Sequence, residues 1–238
     1  MGKRLIQQAR GKGGPRYRAP SFKYKGMAVN KKLKPGVFKG EILDFVKCRG
    51  HSTPLAAIRY EDGETLYMLG VEGLKVGEFI ETGEGIAVRS GNTLALKDIP
   101  EGALINNIEQ NPGDGGKFVR ASGTFAKVVT KMADKIIVIL PSKKQKIFKP
   151  NCRATIGVLA GGGRPEKPFL KAGAKYYKMK SKNKLWPHVC GQSMNAVDHP
   201  HGGSRSSKKN YPYTVSRNAP PGAKVGSIAA KRSGRKKK

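Results

Sequence analysis

The first carboxylate of this 238-residue chain is Glu41, and twelve lysines and arginines stand before it. Residues 41–140 then hold eleven basic and fourteen acidic side chains, and residues 141–238 hold twenty-four basic and two acidic. The formal charge of +31 is therefore arranged as +12, −3 and +22. The flanks contain almost no carboxylates with which to neutralise themselves, so their compaction requires negative charge from outside the chain. The pattern predicts a folded centre with two basic arms and a polyanion as partner, a balance for which a neutral metabolic enzyme has no use.

Residues 1–40 read as an arm without a fold of its own. Gly11, Gly13, Gly14 and Pro15 break any helical period, and Tyr17, Phe22 and Tyr24 alternate with Arg16, Arg18, Lys23 and Lys25. From Glu41 short apolar runs appear with turn signals between them. Glu41–Cys48, Pro54–Tyr60, Thr65–Leu69, Glu78–Ile80 and Ile86–Arg89 read as strands, with Glu61-Asp62-Gly63-Glu64 a hairpin turn because Asp-Gly supplies positive φ. A second series follows at Leu104–Ile108, Lys117–Ala121, Phe125–Thr130, Lys135–Leu140, Gln145–Phe148 and Ala154–Leu159. No helical period longer than two turns occurs in 41–160, so the centre is expected to be nearly all-β, with a seam near Gly91–Pro100. Beyond Gly161-Gly162-Gly163 one short basic helix around Lys171–Lys178 is the remaining regular element, and the Gly-, Ser-, Lys- and Pro-rich tail is expected to need a partner for order.

Other classes are excluded by length and spacing. The longest aliphatic run, Ile136–Leu140, is far short of the ~20 residues of a membrane helix. Met1–Ile6 leads into no apolar core of a signal peptide, and Ile6 stands where myristoylation needs Ser or Thr. Cys48, Cys152 and Cys190 are odd in number and far apart, which argues against a disulfide framework or zinc ribbon and for a reducing compartment.

Catalytic motifs are incomplete. Gly191-Gln192-Ser193-Met194-Asn195 has Asn195 where a nucleophile elbow needs its second glycine. Asp198, His199 and His201, with His188 and Cys190 nearby, are potential metal ligands, yet His-x-His in a Gly/Pro loop lacks a zinc spacing, and a partner-bonding turn is the better reading. Gly11-Lys12-Gly13-Gly14 and Gly161-Gly162-Gly163 lack the Gly-Lys-Ser/Thr ending of a phosphate loop. The remaining reading is nucleic-acid binding: cations neutralise phosphates, and Tyr17, Phe22, Tyr24, Tyr176, Tyr177, Trp186, Tyr211 and Tyr213 offer stacking surfaces. The rival readings are a metal-dependent nuclease using Asp198, His199 and His201, and a DNA-compacting protein using the arms.

The segment from Trp186-Pro187-His188 through Asn195-Ala196-Val197-Asp198-His199-Pro200-His201-Gly202-Gly203 resembles the universal large-subunit ribosomal protein number two family. Asp62-Gly63-Glu64, Gly91-Asn92-Thr93-Leu94, Ile99-Pro100-Glu101-Gly102, Asn107-Ile108-Glu109, Pro112-Gly113-Asp114-Gly115-Gly116, Arg120-Ala121-Ser122-Gly123-Thr124 and Cys152–Gly157 follow in family order, and the wording Asn195-Ala196-Val197 is archaeal-like. The chain departs from the family at Cys190, which stands in place of an arginine, at Gln192-Ser193, which replace small residues, and at Ser204, which replaces a glycine.

The resemblance implies a mainly β fold with an OB-fold barrel over 41–95 and an SH3-like barrel over 96–162, between basic extensions at 1–40 and 163–238. It implies a non-enzymatic, cytoplasmic constituent of the large ribosomal subunit, binding its RNA and supporting subunit association, tRNA binding and the peptidyl transferase region. The expected partners are large-subunit RNA, other large-subunit proteins and the small subunit, with no membrane, metal or cofactor. Asn195, Asp198, His199 and His201 would position RNA. Arg4, Arg10, Arg16, Arg18, Arg164, Lys175, Arg205, Lys208 and Lys209 are the expected phosphate contacts.

Overall fold

A computed structural model of the chain describes residues 6–33, 35–203 and 213–232. It divides into two compact units, one comprising Met1–Pro20 with Lys171–Lys238 and the other Ser21–Leu170. The second unit is mainly β, as expected. Its strands are β1 (Phe38–Val46), β2 (Leu55–Tyr60), β3 (Thr65–Leu69), β4 (Phe79–Thr82), β5 (Thr93–Ala95), β6 (Leu104–Asn106), β7 (Ala126–Lys131), β8 (Ile136–Ile139), β9 (Gln145–Phe148) and β10 (Arg153–Ile156). They form one continuous sheet in the order β3-β2-β1-β4-β5-β10-β6-β7-β8-β9.

Alternation decides which side chains point inward. In β1 Gly40 and Ile42 are buried between exposed or half-buried neighbours, and in β8 Ile136 and Val138 alternate with half-buried Ile137 and Ile139. The inward residues make one core for each strand series. Ile42, Ala56, Ile58, Tyr60, Met68 and Ile80 fill the first, and Leu94, Ile105, Ile108, Val128, Ile136, Val138 and Phe148 are among those filling the second. The β2–β3 turn forms at Glu61–Glu64 with Gly63 at φ +77°, a conformation open to Gly at little cost.

In the second unit two expected strands are absent and one unexpected strand, β5, is present. Ile86–Arg89 is irregular, and Lys117–Ala121 contributes only an isolated bridge between Ile108 and Phe118. Gly83, Gly85 and Gly91 around the first run, and the Asn111-Pro112 turn with Gly113, Gly115, Gly116 and Gly123 around the second, supply bends that the short apolar stretches cannot overcome. In their place β5 occupies the expected seam, where it pairs with β4 in parallel and with β10 in antiparallel register.

Residues 21–40, expected to lack a fold, pack within the second unit because their backbone polar groups find partners there. Val29 N–H donates to Tyr67 O at 3.0 Å, Asn30 N–H donates to Gly115 O at 3.2 Å, and Ala28 bridges Tyr67 in parallel. A third core of Ala28, Cys48, Leu55, Leu69 and Leu159, covered by Tyr24 and Tyr67, seals this strap. Tyr24, expected to stack on bases, is therefore a packing residue, and a Cβ at Gly50 would collide with its ring.

The first unit has little interior. Among the described residues, every buried hydrophobic side chain belongs to 21–170. The first unit contains α1 (Ile6–Gly11), α2 (Ala172–Ser181) and the parallel pair β11 (Thr214–Val215) and β12 (Ser227–Ile228). No residue of α2 is buried, and it has no acid in its first turn, although Lys178 and Lys180 suit its negative C-terminal end. Lys180 Nζ donates to the carbonyls of Pro15 and Arg16 at 2.9 and 3.0 Å, tying the tail to the beginning of the chain. Among the described residues, no helix is long and apolar enough to cross a membrane.

Candidate nucleic-acid interface

Cations in this chain occupy two kinds of position. Lys31 is fully buried: its Nζ reaches Asp62 at 2.5 Å and Glu64 at 3.0 Å, and lies 4.3 Å from the centre of the Tyr60 ring. Burial opposes its charge, but the two carboxylates outweigh that cost and hold its pKa above the ordinary lysine value. Arg153 on β10 is equally enclosed. Its Nη2 donates to Glu109 Oε1 at 2.7 Å, its Nε reaches the same carboxylate, and its Nη1 donates to Lys31 O at 2.7 Å. Arg120 Nη2 donates to Ala28 O at 2.6 Å. These three cations hold the strap, so they are not available to phosphate.

They escaped sequence reasoning, which treated basic residues as surface groups. Arg153 had a readable signal, since a charge within the apolar run Cys152–Ile156 demands a buried counter-charge. Lys31 had none, lying in a row of similar lysines.

The cations singled out for RNA sit differently. Arg10 on α1, Arg16 and Arg18 are exposed, with the Arg16 guanidinium 6.0 Å from the Tyr17 ring centre. Lys175 on α2 is half-buried, its Nζ 5.4 Å from the centre of the Trp186 ring system. Tyr176 and Tyr177 are exposed beside it. All of these belong to the first unit. Arg164 belongs to the second, where it donates to Ser52 O at 3.1 Å while remaining exposed. Arg4, Arg205, Lys208, Lys209 and Tyr211 lie outside the described residues.

Asn195, Asp198, His199 and His201 come together in one loop. Asn195 O accepts from the backbone N–H groups of Asp198 at 3.0 Å and His199 at 3.3 Å, and Gly203 N–H donates to Met194 O at 3.0 Å, closing the loop base. His201 N–H donates to His199 Nδ1 at 3.0 Å, which places the neutral ring's proton on Nε2 as a donor. Burial, followed by the nearby His201 and His188, keeps the His199 pKa below the usual imidazole range, so the ring is neutral at physiological pH. His201 in turn meets Tyr213 edge-on at 5.0 Å.

Two glycines permit this closeness. A Cβ at Gly191 would overlap the His199 ring, and one at Gly202 would overlap the Asn195 carbonyl. The loop is thus a preformed surface of polar groups with one neutral imidazole. Gly191–Ser193 is a single 3₁₀ turn ending at extended Met194, which differs from the strand–turn–helix of a nucleophile elbow. Among the described residues, no group of three His, Cys, Asp or Glu side chains is placed to hold a metal ion.

The family model for the C-terminal domain of ribosomal proteins L2 matches residues 89–224, which include β5–β10 and the histidine loop. Over its full length the chain is similar to large ribosomal subunit protein uL2 of Archaeoglobus fulgidus, at 55% identity over 98% of this chain and 99% of the relative. The chain belongs to the uL2 family. The uL2 proteins of Methanothermobacter thermautotrophicus, at 50% identity over the whole of both chains, and Haloarcula marismortui, at 48% over 99% and 98%, place it with the archaeal type. The two strand series are accordingly the OB-fold and SH3-like barrels of uL2, in that order along the chain.

Proposed function

We propose that this chain is a structural constituent of the large ribosomal subunit, located in the cytoplasm, that binds large-subunit RNA and acts without catalysing a reaction of its own. The observation that carries the RNA-binding role is the first unit, with 23 basic residues against one acidic and, among the described residues, no buried apolar side chain. A body so charged and so poor in core gains cohesion when phosphates neutralise it.

In this reading Arg10, Arg16, Arg18, Arg164 and Lys175 contact phosphates, as do Arg4, Arg205, Lys208 and Lys209. The loop carrying Asn195, Asp198, His199 and His201 positions RNA near the peptidyl transferase region, with His199 Nε2–H donating to an RNA oxygen. Support of tRNA binding and contact with the small subunit follow from that location. In this reading the barrels span 41–95 and 96–162 between extensions at 1–40 and 163–238, residues 21–40 of the first extension being packed within the second unit. Other large-subunit proteins complete the set of partners, and no membrane is involved.

Sedimentation of cell extracts through sucrose tests this directly. The chain is expected in the large-subunit peak and is expected to leave it only in a high-salt wash. Its absence from that peak, or RNA affinity that does not change with salt, overturns the reading. His199→Ala is expected to impair subunit assembly or activity while isolated RNA binding persists.

A further inference from the structure

In the first unit, where no described apolar side chain is buried, the histidine loop has no core to lean on. Asn195, Asp198 and Pro200 are exposed, yet His199 and His201 are half-buried. Rings flank one another there in a row. The His199 and His201 rings stand 5.0 Å apart at 59°, and the His201 ring meets the Tyr213 ring at 5.0 Å and 85°.

Backbone contacts fix Tyr213 at the end of this row. It directly precedes β11, and its carbonyl accepts from Ser227 N–H of β12 at 2.7 Å, while Val215 O accepts from Ala229 N–H at 2.9 Å. Gly226, at φ +81°, permits the approach: a Cβ there would overlap the Tyr213 carbonyl and come within 3.2 Å of His201 Cε1. At the other end of the row Gly191 makes the same allowance for the His199 ring. The sequence offers Tyr213 as a base-stacking surface, whereas the structure seats it edge-on against His201.

We propose that Tyr213 is a positioning residue for His199, acting through His201 to hold the imidazole in the tautomer that carries its proton on Nε2. The inference deepens the RNA-positioning role proposed for the loop and rests on that reading for its purpose. The tautomer depends on one bond, from His201 N–H to His199 Nδ1 at 3.0 Å, and the bond depends on where His201 stands. With Tyr213 on one side and His199 on the other, the His201 ring has little room to turn. An edge-on ring pair and a hydrogen bond contribute comparable free energies, so losing the first is enough to loosen the second. Once it is loose, the proton can move to Nδ1, and Nε2 changes from donor to acceptor. A donor is what an RNA oxygen requires.

NMR of the full chain carrying isotope-labelled histidine tests this, because its four imidazoles are few enough to resolve and His199→Gln identifies the His199 signals. At about pH 8, above the ordinary imidazole pKa, the parent is expected to show His199 protonated on Nε2. Tyr213→Ser should raise the ratio of the Nδ1–H to the Nε2–H form about fivefold, the effect of one net hydrogen bond. Tyr213→Phe should match the parent. Hydrogen-exchange protection of the Ser227 amide, whose acceptor is backbone in every variant, should stay unchanged. An unchanged ratio in Tyr213→Ser, or a shifted one in Tyr213→Phe, overturns the proposal. So does a shift that comes only with loss of Ser227 protection, since Tyr213 would then merely hold the ribbon. The RNA reading is judged separately by Val197→p-benzoylphenylalanine in purified large subunits, which is expected to join RNA on irradiation. If it joins none, the loop does not face RNA, and the imidazole signals still decide the role of Tyr213.

Discussion

The two units use the same basic residues for opposite ends. In the second, 24 basic residues face 15 acidic ones, and the most enclosed cations, Lys31 and Arg153, have carboxylate partners within the chain. In the first, 23 basic residues face a single acid, Asp198, and α2 buries no side chain at all. A cation whose counter-charge is internal stabilises a fold, whereas one whose counter-charge is external waits for a partner. Charge count alone cannot separate these roles; the position of the nearest carboxylate does.

Removing a partner from the second unit should have the largest effect. Glu109→Ala leaves the Arg153 guanidinium buried beside no carboxylate, and such a loss costs about 3–5 kcal/mol. Urea denaturation should show that fall, and replacing Arg153 with Met in the same chain should recover only part of it: the uncompensated charge is gone, but the Gly113 and Arg153 amides that donate to Glu109 stay without their acceptor. A single variant as stable as the parent would mean that the pair is not enclosed.

In the first unit the corresponding change should spare the fold and weaken RNA binding. Alanine at Arg10, Arg16, Arg18 and Lys175 together should lower the slope of log affinity against log salt by about 3, on the order of 0.7–0.9 per phosphate contact. Alanine at Lys47, Arg49, Lys75 and Arg89, four cations of the net-acidic barrel, should leave the slope nearly unchanged. Equal effects of the two sets would erase the functional difference between the units.

Much of the fold was legible where local chemistry decides it. Asp62-Gly63 announced its turn, β3 and β9 fell on their expected residues, and β7 and β8 differed from theirs by one residue at each end. The lysine-rich run near Lys171–Lys178 announced α2. What remained hidden depends on contacts distant in sequence. β5 has three residues, all buried, and so has no alternation to read; its strand character comes from β4 and β10 on either side. Lys31 and Asp62 are 31 positions apart, and Arg153 meets the Lys31 carbonyl across 122. The side of the site proposed to face phosphate was readable as charge without acid. The strap was not, because a lysine that pairs internally looks like any other until its partner is known.

Lys31 offers a milder test of the same contrast. Its carboxylate partners keep about a third of their surface in water, so Lys31→Ala strands them less severely than the loss of Glu109 strands Arg153. A cost of about 1–2 kcal/mol is expected, the usual range for a partly solvated site. Hydrogen exchange should quicken at the Val29 and Asn30 amides, which bond Tyr67 and Gly115, before it quickens in the β7–β8 ladder. Uniform quickening throughout the second unit would show that the strap is not a separate latch.

Acid should distinguish the two units by the smallest effect. Burial, followed by His201 and His188, lowers the native His199 pKa, so the folded loop binds a proton less readily than the unfolded chain. Its contribution to stability is complete above about 6.5 and declines as pH falls through the native value, when protonated Nδ1 can no longer accept from His201 N–H. Asp114 is the counterpart in the second unit. Burial would raise its pKa, but backbone N–H groups of Asn111, Gly116 and Gln110 outweigh that and lower it. Its contribution is complete above about 3.9 and is lost as pH falls through a lower native value. The His201 amide should therefore lose hydrogen-exchange protection at a higher pH than the Gly116 amide, with the His199 ring titrating by NMR below the unfolded imidazole value. Gly191→Ala, by pushing the ring from its seat, should return that titration toward the ordinary value and leave Asp114 unmoved. If Gly116 loosens first, the loop of the first unit is held by something other than the His199 acceptor.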